Sequence, residues 1–159
     1  MDESLSPRLS LMLGQALPGD DFWDICCDHG LLGAAALKSG RFRSIHFVDR
    51  VPHIIEKLRR GLQDQAEAIV HLSSAEDLAV EITGTAVISG VGGHNIVKIL
   101  ESWKSRGNFR AKRLILNPLT HIAPLREYLK TFDCYREKET LIVRESERDR
   151  QILILDFRA

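Results

Sequence analysis

Hydrophobic and polar positions along this chain change period repeatedly, and the changes predict alternating helices and strands. Residues 6–17 read as an opening helix: Ser6 can cap it, Pro7 takes the first helical position, and Leu9, Leu13 and Leu17 share one face. Pro18-Gly19-Asp20-Asp21 stops it. An apolar run at 22–27 reads as a strand, a helix follows from about 30 to 39 with Gly40 as its stop, and 44–48 is a second strand. The next helix starts near Pro52 and runs to about 65, with Ile54, Ile55, Leu58 and Leu62 as its apolar stripe. Strands are expected at 69–72 and at 85–89, the second flanked by Gly84 and Gly90. A helix at 93–105 turns Ile96, Val97, Ile99, Leu100 and Trp103 inward. A strand at 113–116 closes on Asn117-Pro118, and a helix covers about 122–131. The tail then shifts to a period of two, with strands at 139–145 and 151–157 around a charged turn at 146–150. No internal repeat, low-complexity segment or linker appears, so 1–159 reads as a single domain.

These elements predict an α/β fold: a central, mostly parallel seven-stranded sheet with helices on both faces and a C-terminal antiparallel hairpin. The first strand, its polar turn, the helix and the second strand ending in Asp49 are the informative unit. Asp49 lies about 20 residues beyond the turn, the span at which a Rossmann-type unit sets an acid on a ribose diol. A dinucleotide site needs G-x-G-x-x-G at the turn so that backbone N–H groups can cradle a pyrophosphate. This turn offers Cys26-Cys27-Asp28-His29-Gly30, with one glycine and a carboxylate that repels phosphate. A cofactor with a ribose and no phosphate fits better, and S-adenosyl-L-methionine is the common one. An antiparallel tail also suits the class I methyltransferase sheet better than a dinucleotide-binding domain.

Composition narrows the setting. At 159 residues the chain can bury a real core, and no apolar run approaches the roughly 18 residues of a membrane span. Met1-Asp2-Glu3-Ser4 is acidic where a secretory signal is basic, so a cytoplasmic location is expected. Three cysteines, two of them adjacent, predict reduced thiols, and no Cys/His spacing fits a metal site. A formal net charge of zero argues against a general polyanion binder. Locally, Lys98, Lys104, Arg106, Arg110, Lys112 and Arg113 face one acid, Glu101. That cluster reads either as a phosphate contact or as a solvated helix end.

Several blocks in order resemble the bacterial tRNA (adenine(22)-N1)-methyltransferases. The opening Leu-Ser-x-Arg-Leu is here Leu5-Ser6-Pro7-Arg8-Leu9. The first loop, Asp-Ile-Gly-Ser-Asp-His in the family, is Asp24-Ile25-Cys26-Cys27-Asp28-His29. Ala-Gly-Met-Gly-Gly, and the Ile-Leu-Glu that ends the helix after it, are matched by Ser89-Gly90-Val91-Gly92-Gly93 and Ile99-Leu100-Glu101. Arg-Leu-Ile-Leu-Gln-Pro, a His and Arg-Glu-x-Leu are matched by Arg113-Leu114-Ile115-Leu116-Asn117-Pro118, His121 and Arg126-Glu127-Tyr128-Leu129. The resemblance covers essentially the whole chain. Cys26 stands for the family's loop glycine and Cys27 for its serine, and the chain ends where the family adds a helical C-terminal domain that helps hold tRNA.

The resemblance implies methyl transfer from S-adenosyl-L-methionine to N1 of an adenine in tRNA, with no metal. It puts Arg8, Asp24, Cys26, Asp28, Asp49, Arg50, Ala75, Glu76, Gly90 and Gly92 on the cofactor, and Asn117 and His29 on the substrate. Asp24 orders the loop beneath the cofactor or serves as an Asx-type cap. Arg50 lies beside the adenine, and Ala75 and Glu76 contact its amine or cap a helix. Gly90 and Gly92 allow close backbone approach or form a plain turn. Asn117 bonds a flipped base or is a turn residue before proline. His29 takes no proton-transfer role. Asp28 is the candidate for chemistry: methylation leaves a cation on the base, which a carboxylate stabilises, whereas its plain alternative is to cap the first sheet helix. The missing Asp/Asn-Pro-Pro-Tyr block after the fourth strand argues against methylation of an exocyclic amine. Two other readings stand beside this one. Cys26 and the absent C-terminal domain favour a non-catalytic cofactor- or RNA-binding relict of the same fold. A nicotinamide oxidoreductase is disfavoured by the missing phosphate loop.

Overall fold

The structure, a computed structural model, describes residues 5–158. The acidic segment 1–4, on which the expected location rests in part, lies outside the described residues. In chain order the elements are α1 (Pro7–Gln15), β1 (Phe22–Ile25), α2 (Leu31–Ser39), β2 (Ile45–Asp49), α3 (Pro52–Gly61), β3 (Ala68–Leu72), β4 (Ile82–Ser89), α4 (Gly93–Arg106), β5 (Phe109–Asn117), α5 (Ile122–Leu129), β6 (Tyr135–Glu145) and β7 (Arg148–Phe157). The local signals act as the sequence predicts. Ser6 Oγ accepts the Leu9 N–H at the start of α1, and α2 stops on the left-handed Gly40; α4 stops likewise on Gly107, which the sequence reading did not single out.

One seven-stranded sheet runs β3-β2-β1-β4-β5-β7-β6, parallel from β3 through β5 and antiparallel at β7 and β6. All four residues of β1 are buried, because the strand lies between β2 and β4 and is covered on both faces. α1 and α2 cover one face over Met12, Phe22, Phe47, Val87 and Ile154, joined by Leu58 of α3. The other face carries α4 and α5 over Trp23, Ile25, Ile88, Trp103 and Leu116. Strand order reverses between β1 and β4, so their carboxyl ends diverge into the crevice where an open α/β sheet holds its ligand.

Five boundaries differ from the sequence reading by three residues or more. β4 begins at Ile82, passing through Gly84 instead of starting after it, and β5 begins at Phe109. Their register shifts beside Gly84, which has φ 74, and Lys112 is the extra residue opposite it. β6 likewise begins at Tyr135, with a register shift between Glu137 and Glu139. α3 stops at Gly61 instead of near 65, where Gln65 N–H turns back to the Leu62 carbonyl. The hairpin turn shrinks to Ser146 and Glu147, both at positive φ, the backbone of a tight two-residue turn. Among the described residues no helix is long and apolar enough to cross a membrane.

Candidate functional site

Three left-handed residues shape the loop after β1: Cys26 at φ 59, Asp28 at φ 50 and Gly30 at φ 75. Two acids hold it. Asp49, at the end of β2, accepts the Asp28 N–H on Oδ2 at 2.9 Å and the Val51 N–H on Oδ1 at 3.0 Å. It thereby ties the loops after β1 and β2 together. A carboxylate has about four acceptor positions, so each oxygen keeps one for a further donor. Asp24, buried at the end of β1, accepts the Gly33 N–H at 2.9 Å. Gly33 is the third residue of α2, whose own N-cap, Gly30, has no side chain to offer. Asp24 is therefore a cap reaching in from the strand, and Asp28 is not: its side chain stays exposed, with Oδ1 3.8 Å from His29 Nε2.

The loop after β3 is clamped from behind by α4. Trp103 Nε1 donates to the Ala75 carbonyl at 2.8 Å and Ser102 Oγ to the Glu76 carbonyl at 2.6 Å. After β4, Gly90 turns at φ 78, and the place its Cβ would occupy is open space.

These loops enclose a cleft of about 330 Å³, within the range of small-molecule sites. Cys26, Asp28, Asp49, Arg50, Ala75, Glu76 and Gly90 line it, all of them candidates from the sequence. Ile54, Val91, Asn95 and Ile99 also line it. Ile54 and Ile99 read in the sequence as core positions of amphipathic helices, and only the three-dimensional end of the stripe reveals them as wall. Their apolar side chains offer a seat for a flat ring, and Asp49 offers acceptors to a diol. Three acids against Arg50 give the walls an excess of negative charge suited to a cationic ligand. Burial pushes Asp24 up to about 7, opposed by the Gly33 N–H and reinforced by Asp49. Burial and the surrounding acids push the Cys26 thiol up to about 12 and the Cys27 thiol up as well, so neither is a thiolate nucleophile near neutrality.

Other candidates stand elsewhere. Arg8, expected on the cofactor, reaches instead across the ends of β4 and β5: Nη1 donates to Asn117 Oδ1 at 2.8 Å and to Ser89 Oγ at 3.1 Å, while Nε faces Glu145 at 3.3 Å. Asn117, expected on a base, is buried with its amide engaged, since Nδ2 donates to the Gln151 carbonyl at 2.9 Å. Gly92 packs against Thr120 and is not in the cleft wall. His29 faces a neighbouring cavity with His53 and Lys57. The basic cluster does not converge on the cleft. Lys112 pairs with Asp20, Arg113 with Asp156 and the Gln15 carbonyl, and Arg106 with Asp77. Lys112 and Arg113 lie on the first half of β5, away from the crevice, while Arg106 also donates to the Glu76 carbonyl at 3.2 Å, behind the cleft wall. Among the described residues no three His, Cys, Asp or Glu side chains gather as a metal site.

Over residues 5–153 the chain matches a family model described as a methyltransferase domain. No curated protein gives a significant match. Solved structures of similar fold include a Streptococcus pneumoniae protein, provisionally assigned as a tRNA (m1A22) methyltransferase, in complex with S-adenosyl-L-methionine; the TM-score is 0.82 at 22% identity, covering 97% of this chain and 73% of that one. The B. subtilis tRNA methyltransferase TrmK gives 0.82 at 21% identity, covering 97% of this chain and 67% of that one. M. capricolum TrmK, in complex with S-adenosyl-homocysteine, gives 0.79 at 16% identity, covering 96% and 69%. At these identities the likeness is one of fold.

Proposed function

This chain belongs to the methyltransferase-domain family, and from that premise we propose that it transfers a methyl group from S-adenosyl-L-methionine to N1 of an adenine in tRNA, in the cytoplasm. The observation that carries the reading is the acid-walled cleft at the sheet's crossover, with Asp49 holding the loops of β1 and β2 together. The residues fit the cofactor. Asp49 keeps acceptors for the two ribose hydroxyls, the apolar side chains of Ile54 and Ile99 can face the adenine, and the open side of Gly90 leaves room for the chain beyond it. Asp24, buried beneath the loop and raised to about 7, would be held in its charged form by the cationic amino group of a bound cofactor above it. When bound, the cofactor supplies an electrophilic methyl on a sulfonium.

Asp28 projects into the same cleft with no cap to make. Neutral adenine already carries a lone pair on N1, so the chain need not remove a proton before attack. Methylation gives the base a positive charge, and the Asp28 carboxylate, on a loop whose backbone Asp49 holds, stabilises that charge as it develops. Positioning of acceptor and donor supplies much of the remaining acceleration. The similar solved structures, tRNA (m1A22) methyltransferases, support the substrate.

A second reading is a non-catalytic binding domain, and one observation favours it: the Cys26 side chain lines the cleft where the resembling family has glycine. Tritium transfer from labelled cofactor to total tRNA separates the two. The wild type is expected to label tRNA. Asp28→Asn is expected to lower transfer by roughly 100-fold or more, with S-adenosylhomocysteine affinity unchanged in calorimetry. A wild type that binds S-adenosylhomocysteine but labels neither tRNA nor total RNA at low salt is the non-catalytic domain.

A further inference from the structure

The loops leaving β4 and β5 are joined more tightly than a strand-to-helix turn requires. Gly93 N–H donates to the Thr120 carbonyl at 2.7 Å, and Leu119 N–H to the Val91 carbonyl at 2.9 Å. Neither glycine there has room for a side chain. A Cβ on Gly93 would run into the His121 carbonyl oxygen, and one on Gly92 would lie 2.7 Å from Thr120 Oγ1. His121 itself is left-handed, at φ 56, a conformation that strains a residue with a Cβ. The outcome is one arrangement of two rings. His121 Nδ1 bonds Thr120 Oγ1 at 2.9 Å, and its ring meets that of His94 with centroids 4.4 Å apart and planes inclined by 41°. Both residues are exposed, and neither belongs to an apolar layer of the sheet. Rings so exposed bury little surface and add little to stability. His121 is also the N-cap of α5, so the helix start fixes where its ring stands, and an uncommon backbone conformation at an exposed ring pair invites a functional reading.

Strand order says what approaches there. The cleft passes over the ends of β2, β1 and β4, through Asp49, Asp28 and Gly90. A cofactor whose ribose was held at Asp49 would have room along the cleft toward Gly90 at the end of β4, which would leave the side beyond it, over β5, for the acceptor. His94 and His121 stand on that side, and His94 adjoins Asn95 of the cleft wall. We propose that His94 and His121 form the platform on which the unpaired adenine of the RNA substrate stacks, an inference that rests on the function proposed above. An aromatic ring face takes a base by stacking, and a base taken from a helix needs such a replacement for its lost neighbours. Across the cleft Asp28 then faces the edge of the same base.

The test compares His94→Ala, His121→Ala and a double variant, His94→Phe with His121→Phe, in the full chain. Three quantities are measured: S-adenosylhomocysteine affinity by calorimetry, total tRNA binding by filter retention with that ligand present, and label transfer to total tRNA. Each alanine variant is expected to weaken tRNA binding roughly 5- to 150-fold, the scale of losing one base stack, with S-adenosylhomocysteine affinity unchanged. The phenylalanine pair, which keeps ring faces and loses ring nitrogens, is expected to restore tRNA binding. Alanine variants that bind and methylate tRNA like the wild type overturn the platform. So does a pattern in which phenylalanine fails and lysine at the same positions restores binding, because the rings would then be phosphate contacts. An alanine variant that loses S-adenosylhomocysteine binding has lost the fold, and the phenylalanine pair then decides. A wild type that binds tRNA but transfers no label overturns the methyltransferase reading, while the binding comparison still judges the platform.

Discussion

Cys26 concentrates the physics of the site in one residue. It has a Cβ where φ 59 favours glycine, and that conformation costs about 1–2 kcal/mol for an L-residue. Its thiol packs against the apolar layer under β1 and also lines the cleft, so part of the cost is returned as contact. Cys26→Gly removes the strain, loses the contact and adds backbone freedom to the unfolded chain. The expected outcome is a stability within about 1 kcal/mol of wild type and tighter S-adenosylhomocysteine binding, read by thermal unfolding and calorimetry. Weaker binding would mean that the loop is built around the thiol. Asp49 was legible in the sequence because a strand, turn, helix and strand of fixed lengths deliver an acid to a fixed place. Arg8 was not. Its partners Ser89, Asn117 and Glu145 lie 81, 109 and 137 residues away, and no local pattern encodes such a meeting.

At the scale of elements, glycine carries two meanings that sequence alone does not separate. Gly40 ends α2 as the pattern predicts, and Gly107 ends α4 in the same left-handed way. Gly84 looks like the punctuation before a strand, yet it lies inside β4, opposite a bulge at Lys112 of β5. There the backbone of Asp21 presses so close that a Cβ on Gly84 would run into the Asp21 carbonyl, which also accepts the Thr85 N–H at 2.9 Å. The bulge shifts β4 against β5 by one residue, which sets Ser89 level with Asn117 at the carboxyl end where Arg8 binds both. Gly84→Ala adds a clash and a left-handed alanine. It is expected to destabilise the protein by about 2–4 kcal/mol in urea unfolding, at the upper end for a single substitution. A loss below about 0.5 kcal/mol would show that the bulge can move elsewhere. The amino-terminal halves of β5 and β6 escaped the sequence reading for a related reason. Arg110, Lys112, Arg136 and Lys138 read as loop because they face solvent on strands whose register slips.

Over the whole molecule, charge is arranged so that the effects of acid partly cancel. Burial, with help from His71, holds His46 down to about 4, and burial also lowers His71. Unfolded, such a histidine binds its proton near 6.5, so the stability it contributes is complete above that value and is lost as pH falls toward 4. Asp24 acts oppositely. Its buried charge is costly above about 7, and that cost is relieved as the folded protein takes up a proton between about 7 and its ordinary 3.8. Asp21, held well below the carboxylate range first by its hydrogen bonds from Arg43, and Asp156, lowered by Arg113, contribute stability that is lost only below about pH 4. Urea unfolding across pH is therefore expected to give a nearly level stability from about pH 7 to 4.5 and a steep fall below about 4. Asp24→Asn keeps an acceptor for the Gly33 N–H and removes the titration. In that variant the histidine loss stands uncompensated, so stability should already decline from about pH 6.5 downward. A variant whose profile parallels the wild type between about pH 7 and 4 would mean that Asp24 does not take up its proton there. The charge beneath the cleft would then be permanent and not conditional on a cationic ligand.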